Sequence, residues 1–278
     1  MKVFLCFSSA DRYTIVDSVL YHLKRFHIPV WYDYHELTLG DNRIVGNFKN
    51  GLDLCDYAVV IISPSMFECK CGNDELNEIK RRYQNHTIHI FPIFYEINAS
   101  DLPYQYKWLT DLIYNELSLS TGSLATCKQI VYQIVKDKLN TCKIKLIQEF
   151  KNSTDYYIYH ALNTYSKTDE DNFNARFTIL YMLYVYLTAQ NINISDMYNG
   201  IMERLCQISQ LNIAFPHKEI LIAENILIIL LNEYTPHIIK CFLLKIQGFS
   251  TFLSQRINHS YEHFDVSGTE IAVLRYTK

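Results

Sequence analysis

The sequence predicts two folds in succession. An α/β unit built on a five-stranded parallel sheet is expected over residues 1–140, and an all-α unit over residues 141–278. Three observations predict this. First, short apolar runs alternate with stretches of helical period, and parallel neighbours need crossover helices between them. Second, "YAVVIIS" (57–63) is apolar throughout, as in a strand buried on both faces. Third, the period changes near Thr141, and only helical patterns are read after it until the last ~20 residues.

The elements follow in order. "KVFLCFS" (2–8) reads as a strand. "DRYTIVDSVLYHLKRFH" (11–27) reads as a helix, with Ile15, Val19, Leu23 and Phe26 at helical spacing. "PVWYD" (29–33) is a short strand, followed by a polar loop to Gly40. Ile44, Phe48 and Leu52 mark a second helix, and a third starts near Gly72–Asn73. "IHIFPIFYEI" (88–97) is a strand, and "TCKQIVYQIVKDKL" (126–139) closes the unit with Ile130, Ile134 and Val135 inward. Helical patterns then cover 142–165, 173–190, 195–212, 216–234 and 236–258. Pro216 and Pro236 stand at helix starts, and Ser195 with Asp196 reads as an N-cap. The last ~20 residues read as a strand or an ordered tail.

Net charge is −3, so no field for nucleic acid or anionic membrane is expected. "MKVFLCFSSAD" turns polar too soon for a secretory leader, and the 8 cysteines are expected as free thiols in a reducing cytoplasm. The longest apolar runs, Ile220–Leu231 and Phe177–Leu187, fall short of the ~20 residues that a span needs. No membrane partner is expected.

In a parallel sheet, ligands bind at the carboxyl ends of the strands. The loops predicted there are 8–12, 33–42 and 63–75. The third contains "SPSMFECKCGNDELNEI" (63–79). Cys69-x-Cys71 lacks the two-residue gap of zinc knuckles and has no second pair at suitable spacing; His89 falls in a strand. No metal site is expected. A helix start near Gly72–Asn73 puts Glu75 in its first turn, on the side of Leu76 and Ile79 that leans toward the sheet. Its ordinary role there is to complement the helix dipole; its functional role is a carboxylate held at the ligand end of the sheet.

The same stretch resembles the third-helix signature of TIR domains (Toll/interleukin-1 receptor/resistance domains). Ser63, Met66, Cys69, Cys71, Gly72, Glu75 and Leu76 stand at the offsets of its serine, aromatic, small polar, tryptophan-cysteine and glutamate-leucine positions. "FLCFSSAD" (4–11), "VWYDYHELTLGD" (30–41) and "FPIFYEINASDLP" (91–103) resemble further boxes of the family, in the right order. The resemblance covers about residues 1–140 and implies a flavodoxin-like sheet. The helical half resembles no family. The sequence departs from the pattern at Met66, Cys71 and Gly72, and carries Ser8 or Ser9 where many enzymatic members carry a basic residue. These changes remove stacking surface and positive charge.

Enzymatic members of the family cleave the nicotinamide–ribose bond of NAD. The resemblance therefore implies an NAD glycohydrolase or ADP-ribosyl cyclase of the bacterial antiphage type, with NAD as substrate and no resident cofactor. Nicotinamide leaves as a neutral molecule, so no general acid is needed. The ribose gains oxocarbenium character that a carboxylate can stabilise. Glu75 is the implied catalytic residue. Phe7, Ser8, Ser9, Asp33, Gly40, Cys69 and Cys71 are the implied substrate-binding positions. Ser8, Ser9 and nearby amides either hold phosphate or leave ordinary capping to Ser9 or Asp11. Asp33 makes a turn or a ribose contact. Phe7 or Trp31 stacks on a base or packs in the core. His35 and Glu36 are solvated.

In the family, the loop Tyr34–Gly40 packs on a neighbouring copy, so self-association of TIR domains is the expected partnership. The helical unit would sense a phage-derived or other trigger and bring copies together. Two alternatives stand beside this reading. One is a non-enzymatic TIR adaptor. The other is a deoxyribosyltransferase-like enzyme with a similar lone glutamate.

Overall fold

The computed structural model describes residues 1–42, 45–141, 160–161, 164–165, 167–189, 195–209 and 217–234. Val3–Cys6 forms β1, buried at all four positions. A 3-10 turn (Ser9–Asp11) and a π turn (Arg12–Val16) lead into α1, Asp17–Arg25. The expected helix over 11–27 is thus α-helical only in its second part, although Ile15, Val19, Leu23 and Phe26 are all buried as their spacing requires. β2 is Val30–Trp31, followed by one helical turn, Asp33–Glu36.

The helix expected on Ile44, Phe48 and Leu52 is not α-helical. Gly46–Gly51 is a π turn and Leu52–Leu54 a 3-10 turn; Ile44 lies outside the described residues. Close packing explains the difference. A Cβ on Gly51 would sit 2.6 Å from Trp31 Nε1 and 2.7 Å from Cε2, so the backbone lies directly on the indole ring. Glycine alone permits that approach, and it weakens the regular helix.

β3 is Tyr57–Ile62, buried at every residue. A 3-10 turn, Pro64–Met66, precedes α2, Lys70–Gln84. β4 is His89–Tyr95 and β5 is Asn115–Leu117. The sheet is entirely parallel, in the order β2-β1-β3-β4-β5. This is the five-stranded parallel architecture expected from the sequence.

Strand alternation divides the core. Phe4, Cys6, Ala58, Val60, Ile62 and Phe94 share a buried cluster with Leu76 and Ile79 of α2. Val3, Leu5, Val59 and Ile61 therefore point to the opposite face. α1 is tied to α3 (Leu124–Thr141) by a Ser18–Ser123 hydroxyl contact of 2.7 Å and by the Cys127 thiol donating to the Val19 carbonyl. The strand order reverses around β1. The carboxyl ends of β1 and β3 therefore flank the topological switch point, where such sheets bind ligands.

The chain divides into two compact units, Met1–Ile130 and Val131–Lys278, and the division falls within α3. Beyond α3, the second unit includes α4 (Phe173–Thr188), α5 (Asp196–Ser209) and α6 (His217–Tyr234). Asn172 caps α4, its side chain accepting from the Ala175 amide at 3.2 Å. The Ser195 carbonyl takes the first amides of α5, from Tyr198 and Asn199. α6 is buried at every position from Ile220 to Leu230, including Glu224 and Asn225. Tyr165 donates to Glu224 Oε1 at 2.5 Å, and Arg176 Nη2 donates to the Tyr165 hydroxyl at 2.8 Å.

No helix among the described residues is long and apolar enough to cross a membrane. The helical pattern over 142–165 lies mostly outside the described residues. Those over 236–258 and the last ~20 residues, with Pro216 and Pro236, lie wholly outside.

Candidate active site

The site is built on the approach to α2. Ser63 ends β3 and caps the 3-10 turn, its Oγ accepting from the Met66 amide at 3.3 Å. Asn73 Nδ2 donates to the carbonyls of Met66 and Cys69, both at 3.0 Å, and its Oδ1 accepts from the Tyr106 hydroxyl at 2.7 Å. These bonds turn the chain early. α2 starts at Lys70 rather than near Asn73, so Glu75 lies in its second turn. The expected first-turn position is therefore corrected, and the inward lean is deep: Glu75 is 6% exposed.

Gly72 lets the start of α2 meet the end of β1. A Cβ there would lie 2.6 Å from Met66 Sδ and 3.2 Å from the Phe7 carbonyl oxygen. The Cys6 thiol donates to the Gly72 carbonyl at 3.5 Å. Burial first, then the Glu75 carboxylate and Cys69, push that thiol well above its ordinary range. Cys6 therefore stays protonated, as a structural donor rather than a nucleophile.

Glu75 has a partner that sequence reasoning missed. Asn47 Nδ2 donates to Glu75 Oε1 at 2.7 Å, and both residues are buried. Asn47 carries no signal in the sequence, because its segment is not a regular helix with a face to count. Asp11 and Ser63 were likewise not assigned to each other. The Ser63 hydroxyl donates to Asp11 Oδ2 at 2.5 Å. Burial raises the Asp11 carboxyl above its usual range, and the Ser63 bond only partly offsets this.

The other sequence candidates divide by place. Phe7 and Ser8 are buried at the end of β1, and the Ser8 carbonyl accepts from the Asp11 amide at 2.9 Å. Ser9 is exposed. Neither Ser9 nor Asp11 caps a helix with its side chain. The turn they begin is three residues long, too short for the anion-attracting dipole expected of a helix start there.

Asp33 is held by Arg12, Nη2 to Oδ1 at 3.5 Å. The Arg12 guanidinium lies over the rings of Tyr34 (4.6 Å), Tyr32 (5.5 Å) and Phe7 (5.7 Å). A cation thus lies one turn after Ser8 and Ser9, on an aromatic bed and paired with Asp33. Gly40 stands apart, in a Thr38–Asp41 turn with φ +97°, a conformation glycine adopts without strain. Cys69 is half-buried and Cys71 exposed. Glu78, further along the same helix, is ion-paired with Arg81 and Arg82, which hold its carboxyl down at about 2.

Residues 3–130 match the family model described as the TIR domain. Over 135 residues the chain is 29% identical to the NAD(+) hydrolase TcpC of Escherichia coli O6:H1, covering 48% of this chain and 42% of that protein. Over 99 residues it is 32% identical to the 2' cyclic ADP-D-ribose synthase BtTIR of Bacteroides thetaiotaomicron, covering 36% and 34%. The chain thus spans well under half the length of these relatives (42% and 34%). A solved TIR domain of the Toll-related receptor TRR-2 from Hydra magnipapillata aligns with a TM-score of 0.35 at 19% identity, over 50% of this chain and 94% of that one.

Proposed function

We propose that the TIR domain formed by residues 3–130 cleaves the nicotinamide–ribose bond of NAD, with Glu75 as the catalytic carboxylate. One observation carries the reading. A buried carboxylate, gripped by a neutral amide donor, stands on the helix whose start packs against the end of β1, at the switch point of a parallel sheet. Burying a carboxylate is costly, and a fold that needed only a helix-dipole partner could leave it in water. The printed names of the bacterial relatives, an NAD(+) hydrolase and a cyclic ADP-ribose synthase, support the same substrate.

In this mechanism nicotinamide departs with the electron pair of the C–N bond and becomes neutral. Glu75 stabilises the positive charge that develops at the anomeric carbon and orients the ribose hydroxyls. Attack by water, with loss of a proton, gives ADP-ribose. Attack by a second hydroxyl of the same molecule gives a cyclic isomer. Arg12, 5.7 Å from the Phe7 ring, offers a cationic group suited to a phosphate. We assign substrate contacts to Phe7, Ser8, Ser9, Asp33, Gly40, Cys69 and Cys71 as before, with Arg12 added.

The helical residues from 141 onward are proposed to sense a trigger, phage-derived or other, and to bring TIR domains together in bacterial antiphage defence. Truncation after Leu139 is then expected to change or abolish the response to that trigger. A non-enzymatic adaptor is the second reading. It is favoured by the exposed Cys71, which leaves no aromatic stacking surface at the family's tryptophan position. Incubating the full chain with NAD and resolving the products by chromatography and mass spectrometry tests the proposal. Release of nicotinamide supports it, and intact NAD under every condition of assembly supports the adaptor.

A further inference from the structure

Asn47 sits in the Gly46–Gly51 turn, on a different segment from Glu75, and is 2% exposed. Its Nδ2 is committed to Glu75 Oε1. A carboxylate only accepts, so the amide presents its nitrogen to Glu75. The other amide atom, Oδ1, is buried and has no hydrogen-bond partner among the described residues. Buried polar atoms are almost always paired, and an acceptor left open beside a functional carboxylate is placed to meet a donor on a bound substrate.

The turn that carries Asn47 is itself fixed by close backbone packing. Gly51 lies on the Trp31 ring, and a Cβ on Gly46 would collide with the Leu37 side chain. Asn47 is thus delivered by a rigid segment, as a preorganised group must be.

We propose that Asn47 is the positioning residue of this site: its amide N–H fixes the plane of the Glu75 carboxylate, and its open Oδ1 accepts from a hydroxyl of the sugar that Glu75 engages. The inference rests on the reading of Glu75 as the catalytic carboxylate. The carboxylate torsion of a glutamate is otherwise broad and two-fold, so an unheld Glu75 would spend much of its time misaligned. Asn47 removes that freedom before substrate arrives. Its carbonyl oxygen then makes the pocket selective for a sugar bearing a hydroxyl at that point, because an analogue lacking it leaves the acceptor unpaired.

Two variants of the full chain test this, Asn47→Asp and Asn47→Leu, with Glu75→Gln alongside. Turnover of NAD is followed from pH 5 to 9, with kcat and KM separated and folding monitored by thermal melting. Asn47→Leu is expected to lower kcat about 100-fold, the scale of a small misplacement of a reacting group. Asn47→Asp keeps the shape but removes the donor. Its activity is expected to be lowest at neutral pH and to recover as pH falls, since two neighbouring carboxyls share a proton that restores a donor toward Glu75. A role in shape alone predicts no such recovery.

NAD analogues lacking one hydroxyl of the nicotinamide ribose complete the test. Deoxygenation at the contacted position is expected to cost Asn47→Leu less than it costs the unaltered protein; equal losses at every position would overturn the acceptor role. Wild-type kcat in Asn47→Leu, or an Asn47→Asp variant that stays inactive at low pH, would overturn the positioning role while Glu75→Gln inactivity left the catalytic reading standing. An unaltered protein that never releases nicotinamide would overturn both.

Discussion

The Ser63 hydroxyl donates to Asp11 Oδ2 at 2.5 Å, joining the carboxyl end of β3 to the turn that follows β1. The two residues are 52 positions apart, and both are buried. The bond ties together the two strand ends on which the candidate site stands.

This pair yields a stability prediction with a defined sign. Burial raises the Asp11 carboxyl above its unfolded value near 3.8. A carboxyl raised in the folded state contributes stability at pH values below the unfolded value, and that contribution is lost as pH rises through the folded value. Asp11→Asn keeps an acceptor for Ser63 without the buried charge. It is expected to flatten the pH dependence of melting above the unfolded value near 3.8 and to leave neutral stability equal or higher. Ser63→Ala leaves the carboxylate buried without this donor and is expected to cost about 1–3 kcal/mol. Urea titrations at pH 4 and 7 check both.

Glu75→Gln is expected to lower NAD turnover by about two to three decades. The amide oxygen still accepts from Asn47, so folding stability should change by no more than about 1 kcal/mol. Asp74, its exposed neighbour, is the control: Asp74→Asn is expected to leave turnover nearly intact. Equal rates for wild type and Glu75→Gln in an active preparation would remove Glu75 from the chemistry.

In the helical unit, Arg176 Nη2 lies 3.9 Å from Glu224 Oε1, with Tyr165 bonded to both. Burial pushes the Glu224 carboxyl up to about 7, against the opposing pull of Tyr165 and Arg176. Stability contributed by this group is therefore full below its unfolded value near 4.5 and is lost as pH rises toward about 7. Arg176→Leu leaves the buried carboxyl with Tyr165 but without its cation and is expected to cost about 3–5 kcal/mol at neutral pH, and less under acid conditions where Glu224 protonates. Glu224→Gln should remove that pH dependence. Melting of the full chain from pH 4.5 to 8 distinguishes these outcomes.

Gly51→Ala places a methyl on the buried, rigid indole of Trp31. We expect a loss of about 1–3 kcal/mol from overpacking. Because the same turn carries Asn47, we also expect reduced NAD turnover in protein that remains folded. Normal turnover at normal stability would mean that the turn yields freely, and would separate Gly51 from the site.

Much of the fold was legible because it rests on local periodicity. Val59, Val60 and Ile61 announce a strand covered on both faces, and Val19 with Leu23 announces one buried stripe of a helix. Leu76 and Ile79 place Glu75 on the inward side of its helix, although the helix starts earlier than the pattern suggests. Gly46–Gly51 was misread because Phe48 and Leu52 keep helical spacing while close contact with Trp31 and Leu37 changes the winding. Apolar spacing reports which residues are buried, not which hydrogen-bond ring the backbone closes.

By itself the sequence determined the parallel α/β unit, the helical character of the described segments beyond it, and the choice of Glu75 as the residue to examine. Only the tertiary structure decided that Glu75 is buried and held by Asn47, that Asp11 answers Ser63, and that Arg12 lies on the Phe7, Tyr32 and Tyr34 rings beside Asp33. The physical reason is the range of the interactions. Amphipathic period acts over three or four residues and is written along the chain. A hydrogen bond between side chains 28 positions apart, as between Asn47 and Glu75, exists only after the sheet has brought their segments together.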